Sequence, residues 1–297
     1  MRRVLHSAGS LAMLAALITG CDMQSPTITP SLESDATRTV AAAPGQTLYA
    51  LTTSGRLIRF SSANPCVVEA TLPVTGLATN ATLLGLDFRP ATGQLYGLGS
   101  DSRVYTIALA TGVATAVSTA TFSPALDGEA FGFDVNPTVD RIRVVSNTGQ
   151  NLRLNPVTGA TAAVDRPLAF SGTDANAGAR PRVVAAAYTN PDNDPATGTV
   201  LYDLDVGLGV LATQNPPNDG TLNTTGSVGV RSSDLTGFDI APSGVAYAVL
   251  KVTGPDQPKQ TCGNSDLYAV NLITGAATRL GSIGTPMPIR GLAAPAP

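Results

Sequence analysis

The chain of 297 residues contains very little imidazole, because its only histidine is His6. The rest of the chain therefore has no imidazole for a Ser-His-Asp triad, for a Cys-His nucleophile or for a His-ligated zinc ion. Tryptophan is absent, aromatic residues make up 5% of the chain, and charged residues make up 13%. The sequence therefore argues against hydrolases and zinc enzymes that depend on histidine.

Clustered basic residues and long apolar runs are also missing. The chain has 18 Lys and Arg against 21 Asp and Glu, without a basic stripe. Nucleic-acid phosphates require clustered Lys and Arg, so we expect no nucleic-acid partner. After residue 20 no apolar run approaches the roughly 18 residues that span a bilayer, which predicts no internal membrane helix.

The first 21 residues have the pattern of a bacterial lipoprotein signal peptide. Arg2 and Arg3 form a basic start, residues 11–18 form a short apolar stretch, and Ile18-Thr19-Gly20-Cys21 resembles a lipobox. We therefore predict that residues 1–20 are removed and that lipid on Cys21 anchors the protein to a membrane outside the cytoplasm, in the periplasm or at the cell surface. The alternative is ordinary cleavage that leaves Cys21 as a free thiol.

The rest of the chain divides into a tether and one domain. Residues 21–38 are rich in Ser, Thr and Pro without apolar periodicity, which is typical of a flexible tether, and residues 39–297 are expected to form a single domain. With Cys21 acylated, Cys66 and Cys262 remain as an even pair in an oxidising compartment. We expect a disulfide between them, with two buried thiols as the alternative.

Internal repeats predict the fold. The segment 85–112 aligns with 132–159 over 28 residues without a gap, at an offset of 47. Further copies begin near residues 186 and 237, and each copy contains short alternating apolar stretches separated by Gly, Thr, Asn and Asp turns. A period of about 50 residues with four short strands is typical of one β-propeller blade.

The ends of the chain predict how the ring closes. Residues 48–60 align with 95–107 and lack a clear first strand, whereas IRGLAAP at 289–295 resembles the first strand LLGLDFRP at 83–90. We therefore predict an all-β propeller of five blades, closed by the C-terminal strand pairing into the first blade, which leaves no open sheet edge. Six blades are the alternative, if residues 36–45 form a strand of their own.

Three phrases of the sequence carry a family resemblance. GLDFRPATGQLYGLGS, FGFDVNPTVDRIRVVSNTGQNLRLNP and DLTGFDI resemble the hallmark stretches of the bacterial domain-of-unknown-function family 4394, over nearly all of residues 46–295. The resemblance implies a secreted or envelope-attached β protein built from repeats. It brings no established activity and no functional residues.

Comparison of the second and third repeats isolates a polar cluster. In the alignment Arg141 replaces Gln94, Arg143 replaces Tyr96, Asn151 replaces Val104 and Arg153 replaces Thr106, so the blade itself does not require these groups. Alternation along strands places Arg141 and Arg143 on one face of one strand, and Asn151 and Arg153 on one face of the next. With Asn147 in the turn between them, they predict a donor-rich surface for a carboxylate, phosphate or sugar. The alternative is an interblade salt-bridge network with Asp134, Asp140 or Asp165.

Acidic residues offer weaker candidates. Asp87, Asp134 and Asp239 recur at one blade position, where we expect them to accept backbone N–H bonds from the following turn. The alternative is a carboxylate ring for a cation. Two loops, Asp192-Asn193-Asp194 and Asp174-Ala175-Asn176, have oxygen ligands that suit Ca²⁺, but neither matches an EF-hand. We expect no cofactor, with Ca²⁺ as the exception to test.

Together these patterns favour a non-catalytic envelope module that binds a small molecule or another envelope protein. The alternative is a His-free hydrolase or lyase that uses carboxylates, with or without Ca²⁺. That enzyme would require carboxylates from several blades to converge at one end of the channel, with a raised pKa on one of them. A third interpretation is a purely structural envelope scaffold, which would have an exposed apolar patch and no deep pocket.

Overall fold

The computed structural model describes residues 45–192, 194–255, 257–259 and 261–295. The predicted signal peptide, Cys21 and the tether lie outside these residues. The described residues contain no helix with the length and apolar character needed to cross a membrane. Five sheets form a ring, and the regular structure outside them is one short 3₁₀ turn, Pro217–Asp219.

Blade 1 contains the strands nearest the N-terminus. They are β1 (Thr47–Thr52), β2 (Arg56–Ser61) and β3 (Asn64–Pro73). Blade 2 follows, with its innermost strand first: β4 (Leu83–Arg89), β5 (Gln94–Gly99), β6 (Val104–Ile107) and β7 (Ala114–Ala116).

Blade 3 repeats this arrangement at the predicted offset. Its strands are β8 (Phe131–Asn136), β9 (Arg141–Ser146), β10 (Asn151–Leu154) and β11 (Thr161–Val164). The second and third strands of blade 3 begin 47 residues after those of blade 2, which the gapless alignment predicted.

Blade 4 has an extra strand that the repeats do not indicate. It contains β12 (Ala169–Phe170), β13 (Val183–Tyr188), β14 (Leu201–Asp205), β15 (Val210–Gln214) and β16 (Thr221–Ser227). The short β12 pairs in parallel with β16 at the outer edge. Blade 5 contains β17 (Ser232–Ile240), β18 (Ala246–Val252), β19 (Asp266–Val270) and β20 (Ala277–Ser282).

The last strand closes the ring. β21 (Ile289–Ala293) pairs antiparallel with β1 and becomes the innermost strand of blade 1, with Leu292 opposite Ala50. Cys66 in β3 is joined in a disulfide to Cys262, which precedes β19 of blade 5, and their Cα atoms are 5.8 Å apart. The five-bladed propeller with C-terminal closure is therefore confirmed. The five described sheets close the ring by themselves, and residues 36–44, on which the six-bladed alternative depended, lie outside the described residues.

The core is divided among the junctions between blades. Each of five hydrophobic clusters joins residues from two neighbouring blades. Because the innermost strands are covered on both faces, β13 is buried at every position. These strands also approach one another closely: a Cβ atom at Gly132 would lie 2.7 Å from the Cβ of Ala186, so only glycine fits there.

Candidate functional site

The polar cluster of blade 3 is assembled by two neighbouring strands. Arg143 in β9 is paired directly with Arg153 in β10, and Asn151 lies two residues along on the same face. This register brings Arg143 beside Arg153, as antiparallel pairing of the two strands predicted. The same face also carries Asp134 of β8, which is opposite Arg143.

Arg143 is buried and its donors are occupied by groups of the protein. Its Nη1 donates to Asp165 Oδ2 at 2.6 Å and to Asn151 Oδ1 at 2.7 Å. Its Nη2 donates to Asn218 Oδ1 at 2.9 Å and its Nε donates to Tyr188 Oη at 3.3 Å, both in blade 4. The structure therefore uses Arg143 to join blades 3 and 4, and does not leave it on an open surface.

The alternative network has Asp165 as its carboxylate. Asp165 accepts from Arg143 and, through both oxygens, from Nε and Nη2 of Arg153 at 2.7 and 2.9 Å. Asp140 pairs instead with Arg89 of blade 2, and Asp134 has no ion pair among the described residues. Both ion pairs of Asp165 lie within blade 3, at the end of β11, and the contacts of Arg143 with blade 4 are neutral hydrogen bonds to Tyr188 and Asn218. The network between blades 3 and 4 is therefore present, but salt bridges do not form it.

Two arginines of the cluster keep unused donors. The side chain of Arg153 is 31% exposed, and its Nη1 has no hydrogen bond among the described residues. Arg141 donates through Nη1 only to the backbone carbonyl oxygens of Val139 and Asp140. No carboxylate in the described part of the chain pairs with Arg141. These two guanidinium groups are available to an external acceptor.

A cavity of about 230 Å³ lies beside these side chains. We call it the arginine pocket, and the residues that line it are Asn136, Val139, Arg141, Arg143, Arg153, Tyr188, Pro217 and Asn218. It is smaller than a typical pocket for a drug-sized ligand, and its volume is sufficient for a small anion or a single sugar-sized group.

Two predicted site residues act elsewhere. Asn151 is buried and donates through Nδ2 to the carbonyl oxygens of Arg166 and Pro217, so it supports Arg143 and does not line the pocket. Asn147 accepts hydrogen bonds from the backbone N–H groups of Glu129 and Ala130 and holds the segment before β8. Both amide side chains therefore form hydrogen bonds with the backbone of neighbouring segments.

A second group of polar residues lies at the ring axis. Asp87, Asp134 and Asp239, each from the innermost strand of its blade, bring one carboxylate oxygen apiece within 4.8 Å of one another. We call this group the aspartate triad. Among the described residues, this is the group whose ligand oxygens lie close enough together to hold a metal ion.

The aspartate triad joins blades in a way that the repeats did not indicate. Asp87 Oδ1 accepts from the N–H of the adjacent Phe88, but its Oδ2 accepts from Val135 N–H of the next blade at 2.8 Å. Asp134 accepts from Tyr188 N–H, and Asp239 accepts from Ala294 N–H. Asp239 also accepts from the N–H of the adjacent Ile240, so Asp87 and Asp239 each have one local donor and one donor from the neighbouring blade. The local donors belong to the next residue of the strand and not to the following turn, and the expectation did not include the contacts between blades.

The carboxylates of the aspartate triad are difficult to ionise. Burial raises the pKa of Asp239 to about 7. Burial and then the nearby Asp239 carboxylate raise the pKa of Asp87 well above its usual range, and burial, Asp87 and Asp239 do the same for Asp134. Each carboxylate therefore opposes the ionisation of the others, and a cation among them would favour their charged forms.

Access limits what the triad can do. Asp87, Asp134 and Asp239 are 5%, 3% and 5% exposed, so these residues are almost completely shielded from solvent. The two loops considered for Ca²⁺ use their acids locally: Asp174 accepts from the backbone and hydroxyl of Thr224, and Asp192 accepts from Asp194 N–H. Asn193 lies outside the described residues.

Sequence comparison did not identify Tyr188, Asn218 or Asp203 as members of these sites. Asp203 of β14 is completely buried, and neither carboxylate oxygen has a hydrogen-bond partner in the described structure. Burial raises its pKa to about 8, while nearby Arg143 lowers it and Asp205 raises it. Asp203 and Asn218 both belong to the divergent fourth repeat, for which the alignment supplies no template.

Comparisons with known proteins add little on function. No curated protein sequence is significantly similar to the chain. A structural-genomics protein of unknown function from Bacteroides thetaiotaomicron is similar at 17% identity and a TM-score of 0.46, over 80% of this chain and 58% of that one. Dihydro-heme d1 dehydrogenase NirN, in complex with DHE, is similar at 14% identity and a TM-score of 0.39, over 80% of this chain and 44% of that one.

The chain thus spans between two fifths and three fifths of the length of these two structures. A family model covers most of the propeller: that of the domain of unknown function DUF4394 matches residues 56–293, from β2 into β21. The chain therefore belongs to the DUF4394 family, as its three characteristic phrases predicted.

Proposed function

We propose that this protein is a lipid-anchored binding module outside the cytoplasm, and that it holds a small anionic or carbohydrate-like group in the arginine pocket. One observation carries the proposal. Three guanidinium groups line a cavity of about 230 Å³, while Asp165 is the one carboxylate paired with any of them in the described residues. The pocket therefore has an excess of positive charge and of N–H donors.

The three arginines have different roles in this proposal. Arg143 is held by Tyr188, Asp165, Asn151 and Asn218, so it forms a rigid positive floor. Arg141 and Arg153 supply the unused donors that contact the ligand. A planar guanidinium that is already positioned loses little entropy on binding and can match two oxygens of a carboxylate or phosphate.

Binding is favoured over catalysis by the position of the acids. The carboxylate-hydrolase alternative requires carboxylates from several blades to converge with raised pKa values, and the aspartate triad has both properties. Each of the three side chains is at most 5% exposed, however, and general acid–base catalysis needs direct contact or one bridging water. We assign the triad to the joining of innermost strands.

The membrane anchor rests on the sequence alone. Its support is the lipobox-like Ile18-Thr19-Gly20-Cys21 after a short apolar stretch, followed by a polar tether. Labelling cells with a radioactive fatty acid should mark the wild-type protein and not the Cys21→Ser variant. Equal labelling of both would contradict the anchor without affecting the pocket.

The binding proposal is tested with Arg141→Gln and Arg153→Gln. Inorganic phosphate and glucuronate serve as probes in isothermal titration calorimetry. We expect at least a tenfold loss of affinity for one of these anions in each variant, and a melting temperature close to that of the wild type, because neither guanidinium is fully buried. Arg59→Gln is the matched control, since Arg59 forms an exposed ion pair with Glu69 far from the pocket.

Arg143 is the arginine of the pocket to which we assign a structural role, and its substitution tests that role. Arg143→Ala should lower the free energy of unfolding by about 3 kcal/mol, because it leaves buried partners without a donor. Failure of the wild-type protein to bind either probe, or equal binding by the wild type and the Arg141 and Arg153 variants, would refute the arginine pocket as a ligand site.

A further inference from the structure

A second cavity, of about 200 Å³, opens at the other end of the molecule, where the five innermost strands begin. We call it the channel mouth. Its apolar wall is formed by Leu84, Ala130, Phe131, Val184 and Leu235, and Arg290, Glu129 and Asp234 add charged groups. Every blade contributes at least one of these residues, so the cavity is built by the whole ring. It lies apart from the arginine pocket, which is at the C-terminal end of β8.

Arg290 is the exceptional residue of the channel mouth. It also lines the narrow throat below, a space of about 10 Å³ beside Gly85, Gly237 and Gly291. Its Nε is buried and has no hydrogen-bond partner, and its Nη1 makes one long contact of 3.4 Å with the carbonyl oxygen of Leu83. No described carboxylate forms an ion pair with it, and burial lowers its pKa.

The blade template does not require a charge at this position. Each innermost strand has a glycine or alanine at the same blade position. The residues immediately before it, in ring order from blade 2 to blade 1, are Leu84, Phe131, Ala185, Thr236 and Arg290. Four of the five blades fold with an uncharged side chain there. Placing a guanidinium here, partly buried and without a carboxylate partner, has a desolvation cost that an uncharged side chain avoids, so its presence requires another explanation.

The acids at the rim restrict which ligand fits. Asp234 is already paired with Arg182 at 2.6 Å. Glu129 is exposed, and its carboxylate has no hydrogen bond or ion pair among the described residues. The channel mouth therefore has one unpaired positive group at its base and one unpaired negative group at its rim, which disfavours an anion with two charges.

We propose that the channel mouth binds a small amino carboxylate, with the carboxylate on Arg290 and the ammonium group near Glu129. The apolar wall accommodates a small hydrocarbon side chain between them. Binding at this site is independent of the arginine pocket and of the proposal made for it.

The probes are L-alanine, L-valine, propionate and ethylamine, measured by calorimetry against the full folded chain. Arg290→Met should reduce affinity for L-alanine or L-valine at least tenfold, and Glu129→Gln should reduce it severalfold while leaving the weaker binding of propionate unchanged. Ethylamine, which lacks a carboxylate, should not bind measurably.

Stability supplies a second readout. Arg290→Met should have a melting temperature equal to or higher than that of the wild type, because it removes a partly buried charge that has no carboxylate partner. Arg56→Met, at an exposed position of β2, and Arg141→Gln serve as controls and should bind the amino acids normally. The proposal is overturned if the wild type binds none of the carboxylates, if Arg290→Met binds them unchanged, or if Arg290→Met is strongly destabilised.

Discussion

At the scale of single residues, the interior of this propeller contains several charged groups that differ in how well they are satisfied. Arg143 has four partners, whereas Asp203 has no hydrogen-bond partner in the described structure although it is completely buried. Burying a carboxylate without hydrogen bonds favours its neutral form, and this raises the pKa of Asp203 to about 8. Such a residue links folding to pH.

Asp203→Asn should remove part of the pH dependence of stability. In the unfolded chain this carboxyl has its ordinary pKa of 3.8, so between about pH 4 and pH 8 the folded state holds a proton that the unfolded state has lost. The wild-type free energy of unfolding therefore falls as pH rises through this window. Because each unit of pH across this window changes the difference by about 1.4 kcal/mol, and the roughly three units from pH 5 to the folded pKa all count, we expect the variant to gain about 4 kcal/mol relative to wild type between pH 5 and pH 8.5.

Urea denaturation at the two pH values measures this difference, and the triad contributes equally to both proteins. Asp219→Asn, at an exposed position, should show no such gain. A stability difference between Asp203→Asn and wild type that is the same at both pH values would show that Asp203 is ionised throughout.

At the scale of elements, two features of each innermost strand position it against the innermost strand of the next blade. The glycine position permits close approach, since a Cβ at Gly85 would lie 2.9 Å from the Cβ of Phe133. The aspartate two residues later then accepts an N–H from the next innermost strand, as Asp87 does from Val135. Their spacing in the repeat reflects contacts between blades.

Gly132→Ala should destabilise the propeller by about 1–3 kcal/mol. The new methyl group would lie 2.7 Å from the Ala186 Cβ and from a methyl group of Val145, so blades 3 and 4 would have to separate. Gly172→Ala is the control, because a Cβ there meets nothing within 4 Å and the backbone is not in the left-handed region. Chemical denaturation should show a change near zero for Gly172→Ala, and equal effects of the two substitutions would refute the close approach as the cause.

At the scale of the whole molecule, stability depends on joining the two ends of the chain. Pairing of β21 with β1 places residues 289–293 in the same sheet as residues 47–73. The disulfide between Cys66 and Cys262 spans 196 residues and links blades 1 and 5, which are neighbours in the ring. A covalent link over so long a segment restricts the unfolded chain strongly.

Cys66→Ser should lower the free energy of unfolding of the oxidised protein by roughly 3–5 kcal/mol. Cys262→Ser and the double variant should show nearly the same loss, because either substitution removes the whole link. Reduction of the wild type should approach the same value. Losses that add in the double variant would mean that the two thiols act separately, and mass spectrometry of the unreduced protein would identify the linked peptide directly.

The repeats by themselves determined the architecture. Blade period, the number of blades and closure by residues 289–295 could all be predicted, because each depends on local alternation and on similarity between segments of one chain. The same comparison identified Arg141, Arg143 and Arg153 as departures from the blade, and strand periodicity placed Arg143 and Arg153 on one face.

Only the tertiary structure decided what those departures contact. Whether Arg143 is a ligand donor or a structural group depends on Tyr188 and Asn218, which come from another blade and are 45 and 75 residues away. The convergence of the aspartate triad and the isolation of Arg290 are decided in the same way, because burial, desolvation and pairing depend on what surrounds a side chain in space. Strand periodicity reports which face a residue occupies, and the packing of five sheets determines what that face meets.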